Sequence, residues 1–200
     1  RAEDPTFADD FRRQGDWGAG EGDDSETTFA GRKLHIKVNR SDWMSWSTSQ
    51  TVDNLGVGDF LAEADVEQVA GPENAEYGLV FHIADDENFY FFAISALGNF
   101  TLAEKVDGEW HEIIPWIGSS AIHTDEGAVN RLGVLAENGQ YTLLVNDVTV
   151  VQVSDGSHST GSVGVAAGTF EESGLEAAFD NFDLWVLSSS GAVTTTATPI

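Results

Sequence analysis

Apolar and polar residues alternate through most of this chain, in short runs separated by small polar turns. The stretch from Tyr77 to Ala103, YGLVFHIADDENFYFFAISALGNFTLA, shows an alternating run, an acidic turn, a second apolar run and a second turn. A period of two is typical of β-strands, and tight turns between such runs produce an antiparallel meander. The pattern therefore predicts an all-β fold with no substantial helix.

Several strands can be placed from this alternation. Leu34, Ile36 and Val38 alternate with polar residues, and the segment 60–67 repeats the pattern. The segment from Asn88 to Ala96 is apolar on both faces, which predicts a central strand covered on each side. Residues 1–30 are acidic and glycine-rich, and we expect them to form loops with one short strand within 7–12.

Turn dipeptides separate the strands in the second half of the chain. Asp107-Gly108, Asn138-Gly139 and Asn146-Asp147 tolerate the positive φ angles that two-residue hairpins require. In the last strand, Phe179 and Phe182 lie at positions of opposite parity, which predicts a β-bulge near Asp180.

The spacing of these elements predicts one domain. About 12 strands separated by short turns favour a two-sheet antiparallel β-sandwich spanning residues 1–187. Residues 188–200 are rich in serine and threonine and form a C-terminal tail or linker. Such a segment could add to a sheet edge, either its own or a neighbour's, and so mediate self-assembly.

Charge restricts the classes of partner. The chain has 34 Asp and Glu residues against 9 Lys and Arg, a formal net charge of −25, and no cysteine. This surface repels nucleic acid and anionic lipid, and favours cations, neutral ligands such as sugars, or a saline exterior. No apolar run approaches the roughly 20 residues of a membrane helix, so we expect no membrane insertion. Disulfides and thiolate metal sites are excluded.

A family resemblance adds to this interpretation. It is carried, in order, by YGLVFHIADDENFYFFAIS, KVDGEWHEIIPW, VNRLGVLAENGQYTLLVNDV, GSVGVAAGTFEE and AAFDNFDLW. These segments resemble concanavalin A-like and laminin-G-like sandwich domains, and more narrowly the 3-keto-disaccharide hydrolase family. The resemblance implies a jelly-roll sandwich and an extracellular or cell-surface location. It does not fix a function, because that superfamily includes lectins, glycosidases and spacers.

Four tryptophans are candidate ligand-binding residues. Trp43 and Trp46 lie in DWMSWS, and Trp110 and Trp116 lie in GEWHEIIPW. Exposed tryptophan rings stack on the apolar faces of sugars. Strand parity separates Trp43 from Trp46, so one ring of that pair can be covered while the other is exposed.

An acidic triple is the candidate catalytic group. Alternation places Glu63, Asp65 and Glu67 on one face of a strand. The spacing resembles the E-x-D-x-E strand of laminarinase-type glycosidases. That resemblance implies Glu63 as nucleophile, Asp65 as its support and Glu67 as acid/base. The alternative is an acidic strand face in water.

A structural calcium ion is the candidate cofactor. Laminarinase-like sandwiches often bind calcium through an aspartate at the position of Asp180, which here would be joined by the segment containing Asp10. The loop 23–26 is a second candidate, because calcium prefers carboxylate and carbonyl oxygens. The alternative for Asp180 is a bulge carboxylate bonded to nearby backbone amides. The histidines show no metal-ligand spacing, and His82 is interpreted as a satisfied interior residue.

Three functional hypotheses follow. The first is a secreted or cell-surface, non-catalytic module that binds carbohydrate or a neighbouring surface protein. The second is a structural subunit of an extracellular assembly, joined through its C-terminal tail. The third is a glycoside hydrolase that uses Glu63, Asp65 and Glu67.

Overall fold

The computed structural model describes residues 4–188. It contains fifteen strands and one short helix, α1 (Gln50–Asp53). The larger sheet has nine strands, which are β1 (Phe7–Asp9), β2 (Gly20–Glu21), β3 (Ser25–Ala30), β4 (Lys33–Val38), β6 (Phe60–Ala70), β11 (Val129–Glu137), β12 (Gln140–Val145), β13 (Val148–Ser154) and β15 (Leu175–Val186). The smaller sheet has six strands, which are β5 (Trp43–Thr48), β7 (Glu76–Asp85), β8 (Asn88–Ile94), β9 (Asn99–Val106), β10 (Glu109–Gly118) and β14 (Ser162–Thr169).

Both sheets are antiparallel, and their order requires crossovers. The larger sheet runs β13-β12-β11-β6-β15-β4-β3-β2, with β1 paired to β15, and the smaller sheet runs β10-β9-β8-β7-β14-β5. The predicted all-β sandwich is therefore confirmed. No helix within residues 4–188 is long and apolar enough to cross a membrane. Most of the predicted tail lies outside the described residues.

The predicted turns and bulge are present. Asp107-Gly108, Asn138-Gly139 and Asn146-Asp147 connect consecutive strands, and both residues of each pair have positive φ. This geometry matches the right-handed twist of the hairpin strands. In β15 the pairing with β6 shifts between Asp180 and Asp183, which confirms the bulge.

The prediction for residues 1–30 was wrong in part. The structure contains β2 and β3 in addition to the expected short strand, and β3 pairs with β4 along its whole length. The sequence of β3, SETTFA, is too polar to show a clear apolar face, because this strand lies near the edge of the larger sheet. These short strands bring the number above the expected twelve.

The main core lies between the two sheets. Leu34 and Ile36 from β4, Phe60 from β6 and Phe179 from β15 are fully buried from the larger sheet. Phe92 is buried from the smaller sheet and belongs to the same cluster. Burial of large side chains at about 25 cal/mol per Å² is the dominant favourable contribution to such a fold.

A second apolar cluster covers the outer face of the smaller sheet. Phe91 is 1% exposed although it points away from Phe92, and it packs with Val80, Phe89 and Ala166. Side chains that include Trp46 and Trp116 pack against this cluster. The prediction that the strand at 88–96 is central and covered on both faces is confirmed.

His82 closes one end of the core. It has a φ of 48°, it is 3% exposed, and its Nε2 lies 2.9 Å from the carbonyl oxygen of Gly58. Burial lowers the pKa of this histidine, so the neutral ring is favoured. The Tyr141 hydroxyl lies 3.3 Å from its Nδ1, which agrees with the predicted satisfied interior residue.

Substitution of Gly78 by alanine tests the close packing of the smaller sheet. A Cβ at Gly78 would lie 2.1 Å from the carbonyl oxygen of Phe92, so Gly78→Ala forces the β7 and β8 backbones apart. We expect urea unfolding to show a loss of about 2 kcal/mol or more. Gly156→Ala is the matched control, because a Cβ there meets no atom within 4 Å. Equal stability of the two variants would contradict this packing.

Candidate functional site

A cleft of about 400 Å³ lies on the outer face of the smaller sheet, and we call it the tryptophan cleft. Trp43 lines it from the first position of β5, which is one edge strand of the sheet. Trp110 and Trp116 line it from β10, which is the opposite edge strand. Three of the four predicted tryptophans therefore line one cavity, although Trp43 and Trp110 are 67 positions apart in the chain.

The face that carries the cleft is concave. The rings of Trp46 on β5 and Phe89 on β8 are 5.2 Å apart, although β14 and β7 lie between those strands. The ring of Trp116 lies 6.4 Å from that of Phe170, which follows β14. Since neighbouring strands are about 4.8 Å apart, such contacts require curvature and small residues beneath the rings. Gly78 and its partner Ala166 on β14 are the small residues at the base of this face.

Glu76 places a carboxyl group inside the tryptophan cleft. It begins β7 and is opposite Gly168 of β14, where a Cβ would lie 2.6 Å from its Oε1. The glycine thus leaves the space that the Glu76 side chain occupies. Burial raises the pKa of Glu76 to about 7. Among residues 4–188, Glu76 has no hydrogen-bond or ion-pair partner.

Further polar groups line the same cleft. Asp42, His111 and Glu112 contribute titratable side chains. Thr101 and Thr169 also line the cleft, but both are buried and their hydroxyls donate to backbone carbonyl oxygens. No lysine or arginine from the described part of the chain lines it. The cleft therefore combines aromatic walls with acidic side chains.

Trp46 lies outside the tryptophan cleft. Its ring packs against the outer apolar cluster, and it borders a separate open groove beside the loop from Gly18 to Gly22. Trp43, by contrast, is 37% exposed. Trp46 is half-buried, and both rings lie on the outer side of the smaller sheet, so neither belongs to the core between the sheets.

The acidic triple lies on the outer face of the larger sheet. Arg131 of β11 contacts Glu63 at 3.2 Å, Asp65 at 3.2 Å and Asp183 at 2.6 Å. Lys33 of β4 pairs with Glu67. Glu63 is only 2% exposed. These carboxylates are therefore held by two cations within an ion-pair network.

The two calcium candidates lie near each other where β1 pairs with β15, because Asp9 is opposite Phe182 and Asn181 lines the pocket that Asp10 borders. Asp180 borders a small pocket with Lys33, whereas Asp10 borders another and pairs with Arg12 at 2.9 Å. The Asp180 carboxylate accepts a hydrogen bond from the backbone amide of Asn181 at 2.8 Å, the arrangement of the alternative interpretation. No group of three or more His, Asp or Glu residues within 4–188 is arranged to hold a metal. Calcium binding by Asp180 and Asp10 stays an untested prediction.

Glu76 is not among the residues that the sequence pattern singled out. Its position was nevertheless encoded, because the alternation that places Tyr77 and Leu79 toward the core places Glu76 and Gly78 on the other face. An acid and a glycine at successive outward positions of an otherwise apolar strand indicate a site where the surface is recessed. The convergence of the two sheet edges requires the curvature, which the pattern does not give.

Comparison with solved structures shows what this architecture resembles. The carbohydrate-binding module CBM66 from Bacillus subtilis superposes with a TM-score of 0.68 and 18% identity, over 86% of this chain and 96% of that one. A Bacillus subtilis protein of unknown function with a galectin-like fold gives 0.68 and 12% identity, over 93% and 97%. The xylan β-1,4-xylosidase from Bacillus halodurans C-125 gives 0.63 and 14% identity, over 92% of this chain but 40% of that one.

The chain has a concanavalin A-like sandwich fold. These identities establish the fold alone. No family model matches the sequence, and no curated protein matches it. The narrower resemblance to the 3-keto-disaccharide hydrolase family is therefore not confirmed.

Arg131 is expected to be important for stability. Arg131→Met leaves the buried Glu63 without this cation, and we expect a loss of about 2–4 kcal/mol in the free energy of unfolding. Arg12→Met is the control, since the Arg12–Asp10 pair has exposed side chains (62% and 51%) and exposed pairs contribute about 0–1 kcal/mol. A similar loss for both variants, measured by urea unfolding, would argue against the network.

Glu76 is expected to make stability depend on pH. Between about pH 4.5 and 7 the folded protein retains a proton that the unfolded chain has released, so the free energy of unfolding falls as pH rises. Glu76→Gln removes this fall. The variant should match the wild type near pH 4 and exceed it by about 1–3 kcal/mol near pH 8.

The measurement is chemical unfolding of both proteins at both pH values. Glu137→Gln, at the exposed end of β11, controls for the change in net charge. A constant difference between Glu76→Gln and the wild type across this range would show that the carboxyl group is not desolvated.

Proposed function

We propose that this chain is a carbohydrate-binding module whose ligand lies in the tryptophan cleft. The observation that carries the proposal is the meeting of Trp43, Trp110 and Trp116 in one cavity. Sugar rings have apolar faces that stack on indole rings, and their hydroxyl groups require polar partners nearby. The carboxyl groups of Glu76, Asp42 and Glu112 line the same cleft, and carboxylate oxygens accept hydrogen bonds from such hydroxyls.

The exposure of the rings supports ligand binding. Trp110 is 48% exposed and Trp43 is 37% exposed, so both retain large apolar areas in contact with water. Covering these areas with a ligand releases free energy that the isolated protein does not gain. The volume, about 400 Å³, lies within the range of about 300–1,000 Å³ found for small-ligand pockets.

The fold gives independent support. Two sandwiches with similar geometry are described as a carbohydrate-binding module and as a protein of unknown function with a galectin-like fold. We extend the first description to this chain because the cleft supplies the chemistry that sugar binding needs. The proposed location is extracellular or at the cell surface, where such ligands occur.

We propose that the module is non-catalytic. The E-x-D-x-E triple, which the resemblance assigned to glycoside hydrolysis, lies on the other sheet from the tryptophan cleft. Arg131 and Lys33 pair with all three of its carboxylates. A retaining glycosidase needs one carboxylate as a free nucleophile and a second that exchanges a proton, and this pairing opposes both roles.

Removal of two wall rings tests the proposal. The double variant Trp43→Ala, Trp110→Ala should weaken binding to the best ligand of an oligosaccharide panel by at least about tenfold, because each substitution removes a ring on which a sugar stacks. Isothermal titration calorimetry gives the affinity. Trp185→Phe, on the larger sheet, should leave it unchanged. Unaltered binding by the double variant, or no binding by the wild type to any saccharide, would contradict the proposal.

A further inference from the structure

The charge of the tryptophan cleft is unbalanced. Glu76, Asp42 and Glu112 line it, and no lysine or arginine among residues 4–188 does so. Two cations contact the outer walls of the cleft, Arg40 at the Trp43 ring and Lys105 at the Trp110 ring, and each already has a polar partner. Arg40 pairs with Asp24 at 3.3 Å, and the Lys105 ammonium donates to the carbonyl oxygen of Asp86 at 3.1 Å.

The ionised form of Glu76 is unfavourable in this cleft. Its carboxyl group is desolvated by the surrounding protein, and no described side chain or backbone amide within 4–188 donates a hydrogen bond to it. A carboxylate in such a position gains strongly from a cationic donor, because charge-assisted hydrogen bonds are about twice as strong as neutral ones. The cleft thus holds an acceptor for which the described residues supply no cationic donor.

The aromatic walls of the cleft also favour a cationic group. The face of a tryptophan ring carries negative charge density and attracts ammonium and guanidinium groups. This protein already uses that interaction beside the cleft, since the Arg40 guanidinium lies 4.5 Å from the centre of the Trp43 ring. The Lys105 ammonium lies 5.9 Å from the ring centres of both Phe89 and Trp110.

We propose that the ligand of the tryptophan cleft is an amine-bearing saccharide, whose ammonium group binds between the tryptophan rings and the Glu76 carboxylate. This inference rests on the proposed function and narrows its ligand class. Sugars that carry carboxylate, sulfate or phosphate groups are repelled by Asp42 and Glu112 as well as by Glu76. Neutral and N-acetylated sugars stack on the rings but leave the Glu76 carboxylate without a charged partner.

A matched pair of ligands tests the proposal. A β-1,4-linked glucosamine oligosaccharide and its fully N-acetylated counterpart share ring and linkage, and they differ in the ammonium groups. By calorimetry near pH 7 and at low salt, we expect the wild type to bind the amine form at least about tenfold more tightly. Added salt should reduce this preference, because the ammonium–carboxylate attraction is partly screened.

Variants assign the preference to the carboxyl group. Glu76→Gln should bind both oligosaccharides with equal affinity, whereas Glu137→Gln, which changes the net charge equally but lies outside the cleft, should retain the preference. If Glu76→Gln fails to fold, Glu112→Gln replaces it, because Glu112 is exposed and its loss should reduce the preference in the same direction. A preference unchanged in the Glu76 variant, or in its replacement, overturns the inference.

The outcomes separate this inference from the proposed function. If the N-acetylated or another neutral oligosaccharide binds as tightly as the amine form, and binding depends on Trp43 and Trp110, the ligand class is wrong and the carbohydrate-binding function stands. If no saccharide of either kind binds, both proposals fail.

Discussion

The smaller sheet buries apolar side chains on both of its faces, and this double burial determines the position of the tryptophan cleft. Phe92 packs into the space between the sheets, while Phe91, its neighbour in the chain, packs into the outer cluster. An antiparallel sheet of a sandwich commonly has one solvated face. Here the outer face is apolar and curved, and the side chains at its edges lean inward over a low floor. The cleft is the part of this face that the protein's own rings leave open.

The two sheets divide the chemistry of the protein between them. On the outside of the larger sheet, the carboxylates on β6 are matched by Arg131 and Lys33, so the charges there are satisfied within the fold. On the outside of the smaller sheet, Glu76 lies among aromatic rings without such a partner in the described chain. The same residue type is therefore structural on one surface and available to a ligand on the other. The two groups of carboxylates differ because Arg131 and Lys33 lie beside those on β6.

Local patterns were sufficient for most of the fold. Period-two alternation located the central strands, and the Asp-Gly and Asn-Gly pairs located the hairpins, because both signals depend only on neighbouring residues. β3 was missed since a strand near an edge needs few apolar residues. The tryptophans were recognised as candidates from their residue type. Their convergence, and the separation of Trp46 from the others, depend on sheet order and curvature, which arise from long-range pairing. Glu76 was missed because its significance comes from Gly168, which is 92 positions away in the chain (168 − 76).

The position of β10 at the edge of the sheet affects which sequence changes the fold tolerates. This edge strand pairs only with β9 among the described strands, and its register shifts twice, between Glu112 and Ile114 and between Ile114 and Ile117. Pro115, which donates no amide hydrogen bond, is tolerated there and discourages further pairing at the edge. Because so little of the interior depends on this strand, substitutions and insertions along it can reshape the contact surface at small cost in stability. The shape of the tryptophan cleft can in this way change through substitutions in a single edge strand.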